Sequence, residues 1–225
     1  MIRTQVNRWR WYRRKVAFAQ VRRASGQIEI GHYGRAVKSF LRSYEILRFN
    51  GFMLESLSVL DGAASQLLKG HRPDDARWFA EEAMRCATGF SDADATARAL
   101  NGLASVAFEK RNYPSALALW SQMVSVAGRS ADGGLAFQAQ EGVGLAQQKL
   151  EDFEGAEASY RKALALAHEL GDRRGQADQL ANLGWLAQAQ FQSARPLFMQ
   201  ALEIYRETLD ELGIRNMEDE LADEG

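Results

Sequence analysis

The residues of this chain whose types could do chemistry are few and scattered. Histidine can act as a general base or a metal ligand, and cysteine as a nucleophile or soft ligand. The chain has three histidines, His32, His71 and His168, and one cysteine, Cys86. His32 and His71 fall at near-equivalent places in successive predicted turns, where a solvated residue is expected, and His168 lies near a helix end. Cys86 sits near the end of a predicted helix with no histidine close in sequence, so a small packing residue is expected. Neither an HExxH nor a CxxC pair occurs. GVGLAQ (142–147) begins like a dinucleotide fingerprint but lacks the third glycine and a preceding strand. The expectation is therefore a protein without catalytic residues, metal site or cofactor.

Composition narrows the class. Hydrophobic residues make up 46% of the 225 residues and charged residues 25%, which fits a globular chain rather than a disordered one. One cysteine excludes an internal disulfide and makes a reducing compartment, the cytoplasm, the default. No run of 18 apolar residues is present, and the basic N-terminus lacks the apolar block of a signal peptide. With three prolines, abundant alanine and leucine and little strand-like alternation, the chain reads as all-α.

The elements come from a period. Small residues recur at Ala24, Ala64, Ala104, Gly144 and Gly184, each 40 after the last, and a second series runs Ala36, Ala76, Ala116 and Ala156. Ahead of the second series stand Tyr33, Tyr113 and Phe153, with Pro73 in the same column; behind it stand Phe40, Ala80, Trp120 and Tyr160. Turn signals between paired helices are GHYG (31–34), GHRP (70–73), RNYP (111–114) and EDFE (151–154). Those between repeats are NGF (50–52), GFSD (89–92), GRSAD (128–132) and LGD (170–172). Each repeat thus reads as a helical hairpin, with small residues where two helices cross closely. The predicted repeats cover about 13–52, 53–92, 93–132, 133–172 and 173–213, in a single domain over 1–213. A basic helical extension (1–12) precedes them, and an acidic, flexible tail is expected over 214–225.

This pattern resembles the tetratricopeptide repeat family. Gly144, Leu150, Phe153, Ala156, Tyr160, Ala163 and Leu164 match its motif in the fourth repeat, and Leu183, Gly184, Phe191, Ala194, Phe198, Ala201 and Leu202 in the fifth. The first two repeats are degenerate: Ser43 stands where a small alanine is usual, and Ala80 where an aromatic is usual. The family's common period is about 34 residues, so the longer period here resembles the long-helix subgroup of scaffold and bacterial signalling proteins. The phrase ELGDRRGQADQLANLGWLAQAQ (169–190) is similar to those bacterial repeats. The resemblance implies a right-handed α-solenoid of about five hairpins and a bacterial, cytoplasmic protein-interaction scaffold or adaptor. Its concave groove, lined by the first helix of each repeat, would take a peptide or helix.

On that geometry the inward residues are Asp61, Ser65 and Leu68; Arg98, Asn101, Ser105 and Phe108; Gln138, Glu141, Leu145 and Gln148; and Asp178, Trp185 and Gln188. Phe108, Leu145 and Trp185 are anchors of such a groove or, equally, inter-helix core. Arg98 and Asn101 could belong to a terminal-carboxylate clamp of the kind one subgroup uses, but Asp61, Glu141 and Asp178 would repel a carboxylate.

Charge is polarised along the chain. Residues 1–50 hold 12 Lys or Arg against Glu29 and Glu45, and residues 201–225 hold nine Asp or Glu against Arg206 and Arg215. The basic arm comprises Arg3, Arg8, Trp9, Arg10, Trp11, Arg13, Arg14 and Lys15. Ile2, Val6, Trp9, Tyr12, Val16 and Ala19 lie along one stripe of its helix, which is expected to pack on the solenoid. Two alternatives stand beside this: docking on nucleic acid or an anionic membrane surface, and self-association of basic head with acidic tail into a homo-oligomer.

The period breaks once. Two residues are missing between Gly184 and Ala194, in the stretch QAQFQSARPLF (188–198). A tight turn at Gln190–Gln192 is expected, with Ser193 capping the last helix and Pro196 in its first turn. The alternative is one fused helix, which would invite a domain-swapped dimer.

Overall fold

The computed structural model describes residues 2–90, 92–130 and 132–223, with side chains for all of these except 2–8, 90 and 223. Among them every regular element is an α-helix, so the fold class is the expected one. The chain forms two compact units, Met1–Asn112 and Tyr113–Gly225. The boundary falls inside the third predicted repeat, where the period suggested one uninterrupted domain.

The first unit contains α1 (Ile2–Glu29), α2 (Tyr33–Phe49), α3 (Met53–Lys69), α4 (Pro73–Phe90) and α5 (Ala93–Glu109). Neighbours in sequence pack on one another, and α3 also packs on α5 and α1. Its core centres on Phe40 and Phe79, which meet edge to face at 6.0 Å, with Leu47, Leu60 and Leu67. The second unit contains α6 (Tyr113–Ala127), α7 (Gly133–Lys149), α8 (Phe153–Leu170), α9 (Arg173–Ala189), α10 (Arg195–Glu207) and α11 (Glu211–Asp223). Met123, Tyr160, Leu186, Phe198 and Met217 are its large fully buried apolar side chains.

The period has a physical cause at each turn. Asp92, Asp132 and Asp172 cap α5, α7 and α9 by accepting backbone N–H bonds from Asp94 and Ala95, from Gly134 and from Gly175. Such caps satisfy donors that the helix itself cannot. Ser39 donates its hydroxyl to Gln27 at 3.0 Å, and Ser159 to Gln147 at 2.7 Å, one bond seen in two repeats. At the crossings the small residues are required. A Cβ on Gly184 would lie 2.3 Å from the Phe198 ring, and one on Gly144 2.6 Å from the Tyr160 ring.

The odd stretch turns back. α9 ends at Ala189 and the N–H groups of Phe191 and Gln192 bond back to the carbonyls of Gln188 and Ala187, both at 2.9 Å. Because α10 then packs on its own α9, the fused-helix alternative is set aside. Ser193 is not the cap: Ala194 holds that position without a side-chain bond, and Pro196 lies in the first turn. Phe191 does not fill the column of Phe153 either. Its backbone is left-handed, and it stands where Gly31, His71, Arg111 and Glu151 stand in earlier repeats, each 40 residues apart. The two missing residues therefore follow Phe191, and α10 has 13 residues where α8 has 18.

The C-terminal stretch is a second correction. The expected flexible acidic tail covers 214–225, but Glu211–Asp223 form α11, which packs on α10. Met217 is buried, with Ile214 and Leu221 partly buried beside it, so this helix has an apolar face at spacings of three and four.

Candidate interaction grooves

In the first unit, helical spacing brings the named residues of α3 and α5 onto facing surfaces. Asp61, Ser65 and Leu68 from α3 and Arg98, Asn101 and Ser105 from α5 line one cavity of about 590 Å³. Lys69, His71 and Glu109 stand at the C-terminal ends of the helices around it. Half-burial pushes the Asp61 carboxyl up from 3.8 to about 6, against the opposing pull of the Arg98 guanidinium. Phe108 is half-buried on the same helix and is not part of this lining. Such a surface offers hydroxyl, amide, carboxylate and guanidinium groups around one leucine.

In the second unit most named residues are engaged by the chain itself. Gln179 donates its amide to Glu141 at 2.8 Å, and burial raises the Glu141 carboxyl above its ordinary range. Tyr160 donates to Gln148 at 2.7 Å, and Tyr205 donates to Asp178 at 2.6 Å. Burial likewise raises Asp178. Leu145 packs against the cluster of Tyr160, Leu183 and Leu186, so its place is core. Trp185 packs edgewise on Phe198, and its indole N–H donates to Glu220 of α11. Gln188 donates to the other oxygen of the same carboxylate. Gln138 is exposed on α7.

The basic arm reverses its expected packing. Arg3 and Arg8, with Ile2 and Val6, lie outside the described side chains. Trp9, Trp11 and Tyr12 are exposed, while Arg10 sits over the Phe52 ring and bonds the Asn50 carbonyl at 3.4 Å. Arg14 pairs with Glu55 of α3 at 3.2 Å. The arginines hold the arm to its unit by their long stems and charged heads, which leaves the aromatic rings in solvent. Arg13 and Lys15 lie over Trp9 and Trp11, at 4.3 and 3.9 Å from the ring centroids.

The chemistry-bearing types remain dispersed. His32, His71 and His168 are exposed, and Cys86 lies 3.8 Å from the Tyr44 hydroxyl. Among the described residues no group of three His, Cys, Asp or Glu is placed to hold a metal ion. Nor is any described helix long and apolar enough to cross a membrane. Sequence reasoning missed Glu220, Gln179 and Tyr205. For Glu220 a signal existed, because Ile214, Met217 and Leu221 mark a helix face just beyond the fifth repeat.

Comparison with known proteins agrees with this architecture. Residues 135–207 match the tetratricopeptide repeat family. No curated protein matches significantly. Aspartyl phosphate phosphatase F from Bacillus subtilis superposes with a TM-score of 0.81 at 12% identity, over 96% of this chain and 57% of its own. A Rap protein complexed with competence and sporulation factor gives a TM-score of 0.75 at 14% identity, over 89% of this chain and 57% of its own. Putative kinesin light chain TPR-like repeats from Podosopora anserina give 0.67 at 13% identity, over 89% of this chain and 99% of theirs. The chain thus spans little more than half the length of the first two structures. Residues 135–207 are thus similar to tetratricopeptide repeats, and the tandem helical hairpins of the chain share the fold of these repeat structures.

Proposed function

We propose that this chain is a non-catalytic protein-interaction scaffold or adaptor that takes an extended or helical peptide between α3 and α5. The observation that carries this is the cavity of about 590 Å³ shared by Asp61, Ser65, Leu68, Arg98, Asn101 and Ser105. Small-molecule pockets are predominantly apolar with a few polar groups. Here polar groups alternate along two helices, which suits the repeating donors and acceptors of a peptide backbone. Asp61 and Arg98 would select charged side chains, and Leu68 an apolar one. One structural neighbour is a Rap protein complexed with competence and sporulation factor, which supports a partner-binding use of such a fold. A bacterial, cytoplasmic setting fits the lone cysteine and the repeat phrase 169–190.

The test is selection of peptides from a displayed library, followed by anisotropy titration. Asp61→Asn and Arg98→Ala, checked for an unchanged helical spectrum, are each expected to weaken the selected peptides about tenfold, which is 1.4 kcal/mol. Equal affinity for both variants and the parent would remove the groove from the proposal.

A second reading rests on the arm. Exposed Trp9, Trp11 and Tyr12 beside Arg13 and Lys15 make a surface for an anionic partner, a lipid headgroup layer or a nucleic acid. Co-sedimentation with anionic vesicles and gel shift with single-stranded RNA test it, using the full chain and one lacking residues 1–15. Binding that survives the deletion, or no binding at all, ends this reading.

A further inference from the structure

Phe191 occupies a turn position that the fold repeats. Gly31, His71, Arg111, Glu151 and Phe191 all take the left-handed backbone, at φ 73, 55, 58, 61 and 57°. The first four are a glycine and three residues that water solvates well. The fifth is a phenylalanine whose side chain is 100% exposed. Burying such a ring is favourable, and here that gain is forgone.

Directly beside it an aromatic is absent. Helices α2, α6 and α8 begin with Tyr33, Tyr113 and Phe153, each half-buried. The two residues missing after Phe191 deprive α10 of this aromatic. A pocket of about 340 Å³ lies beside this turn, floored by Leu164, Leu183, Leu186 and Leu197 from α8, α9 and α10. Gln190, Gln192 and Ser193, on either side of Phe191 in the turn, form part of its edge. An unburied ring and a pocket with a leucine floor thus share one surface.

We propose that this surface is a dimer contact between two copies of the chain, with Phe191 of each copy seated in the other's pocket. A knob and a hole side by side are self-complementary under a two-fold axis, which closes the assembly at two. The rim supports the same symmetry. Glu157 and Arg161 pair at 2.7 Å on α8 and line the pocket, so across the axis each copy presents both signs to the other. The remaining rim groups are uncharged amides and a hydroxyl, at Gln190, Gln192, Gln200 and Ser193. Two rings and a small rim suit a weak, concentration-dependent dimer. No helix is exchanged, because α10 stays on its own α9.

Sedimentation velocity over a concentration series into the high micromolar range tests this with the full chain. The parent is expected to pass from monomer to dimer. Phe191→Asn, which keeps a residue tolerant of the left-handed backbone, is expected to weaken the dimer about tenfold or more with its melting curve unchanged. A parent that stays monomeric throughout, or an Asn variant that dimerises like the parent, overturns the proposal. A photo-crosslinking benzoylphenylalanine at position 191 gives an independent readout. Adducts between copies at Leu183, Leu186 or Leu197 support it, and adducts confined to other surfaces overturn it.

Discussion

Trp185 donates its indole N–H to Glu220 at 2.8 Å, while Gln188 donates to the second oxygen of that carboxylate at 3.1 Å. One side chain of α11 therefore satisfies two donors of α9. A 13-residue helix is marginal alone in water, so α11 depends on this link and on Ile214, Met217 and Leu221. Glu220→Ala removes the acceptor and leaves the half-buried indole N–H unpaired. A bond to a charged group contributes about 1.5–3 kcal/mol, and a loss of that order is expected in chemical unfolding of the second unit. Amide exchange across α11 should accelerate ahead of α9. Unchanged exchange in α11 would mean that the apolar face alone holds it.

Asp61 gives a pH-dependent prediction. Half-burial raises its carboxyl from 3.8 to about 6. The folded state then binds this proton more tightly than the unfolded state. Stability from this group is present below the unfolded value and is lost as pH rises through about 6. At about pH 8 the ionised carboxylate is therefore a net cost, and Asp61→Asn should stabilise the fold by roughly 1–2 kcal/mol there, after discounting for partial exposure. At about pH 3 the two proteins should be nearly equal in stability, since the Asp61 carboxyl is then mostly protonated in both states. Urea unfolding at the two pH values checks it; a gain independent of pH would assign the effect to something other than ionisation.

Much of the fold was legible because its constraints are steric and repeat. Gly144 and Gly184 must be glycine under the Tyr160 and Phe198 rings, and the same crossing accepts alanine at Ala24, Ala64 and Ala104. A fixed step of small residues therefore exposes the hairpins. The cavity residues of α3 and α5 were legible for the same reason, since a helix places residues three and four apart on one face. What lies outside the period was not. Glu220 belongs to a helix beyond the last repeat, so the partner of Trp185 could not be named from the step of 40. Phe191 was misplaced because the deletion can be drawn on either side of it. Only the left-handed backbone at 191, in register with Glu151, shows that the turn is intact and the helix start is short. The arm misled because its aromatic stripe and its arginine stripe are equally regular, and it is Arg10 and Arg14 that reach Phe52 and Glu55 while the rings stay in solvent.

Ser43 is where the repeat pattern and the core disagree most sharply. It lies in α2 at 0% exposure, and among the described residues its hydroxyl has no hydrogen-bond partner. The tetratricopeptide pattern places alanine there. An unsatisfied buried hydroxyl costs about 1–3 kcal/mol, and serine is also the poorer helix former by several tenths of a kcal/mol. Ser43→Ala removes both costs without opening a cavity larger than one oxygen, so it should raise the stability of the first unit by about 1–2 kcal/mol. Ser39, one turn earlier, is the control. Its hydroxyl donates to Gln27 at 3.0 Å, so Ser39→Ala should lower stability by about 0.5–1.5 kcal/mol. Denaturant titrations of the two variants should move in opposite directions from the parent. If Ser43→Ala also destabilises, its hydroxyl has a partner in solution, such as a buried water, and the site is satisfied after all.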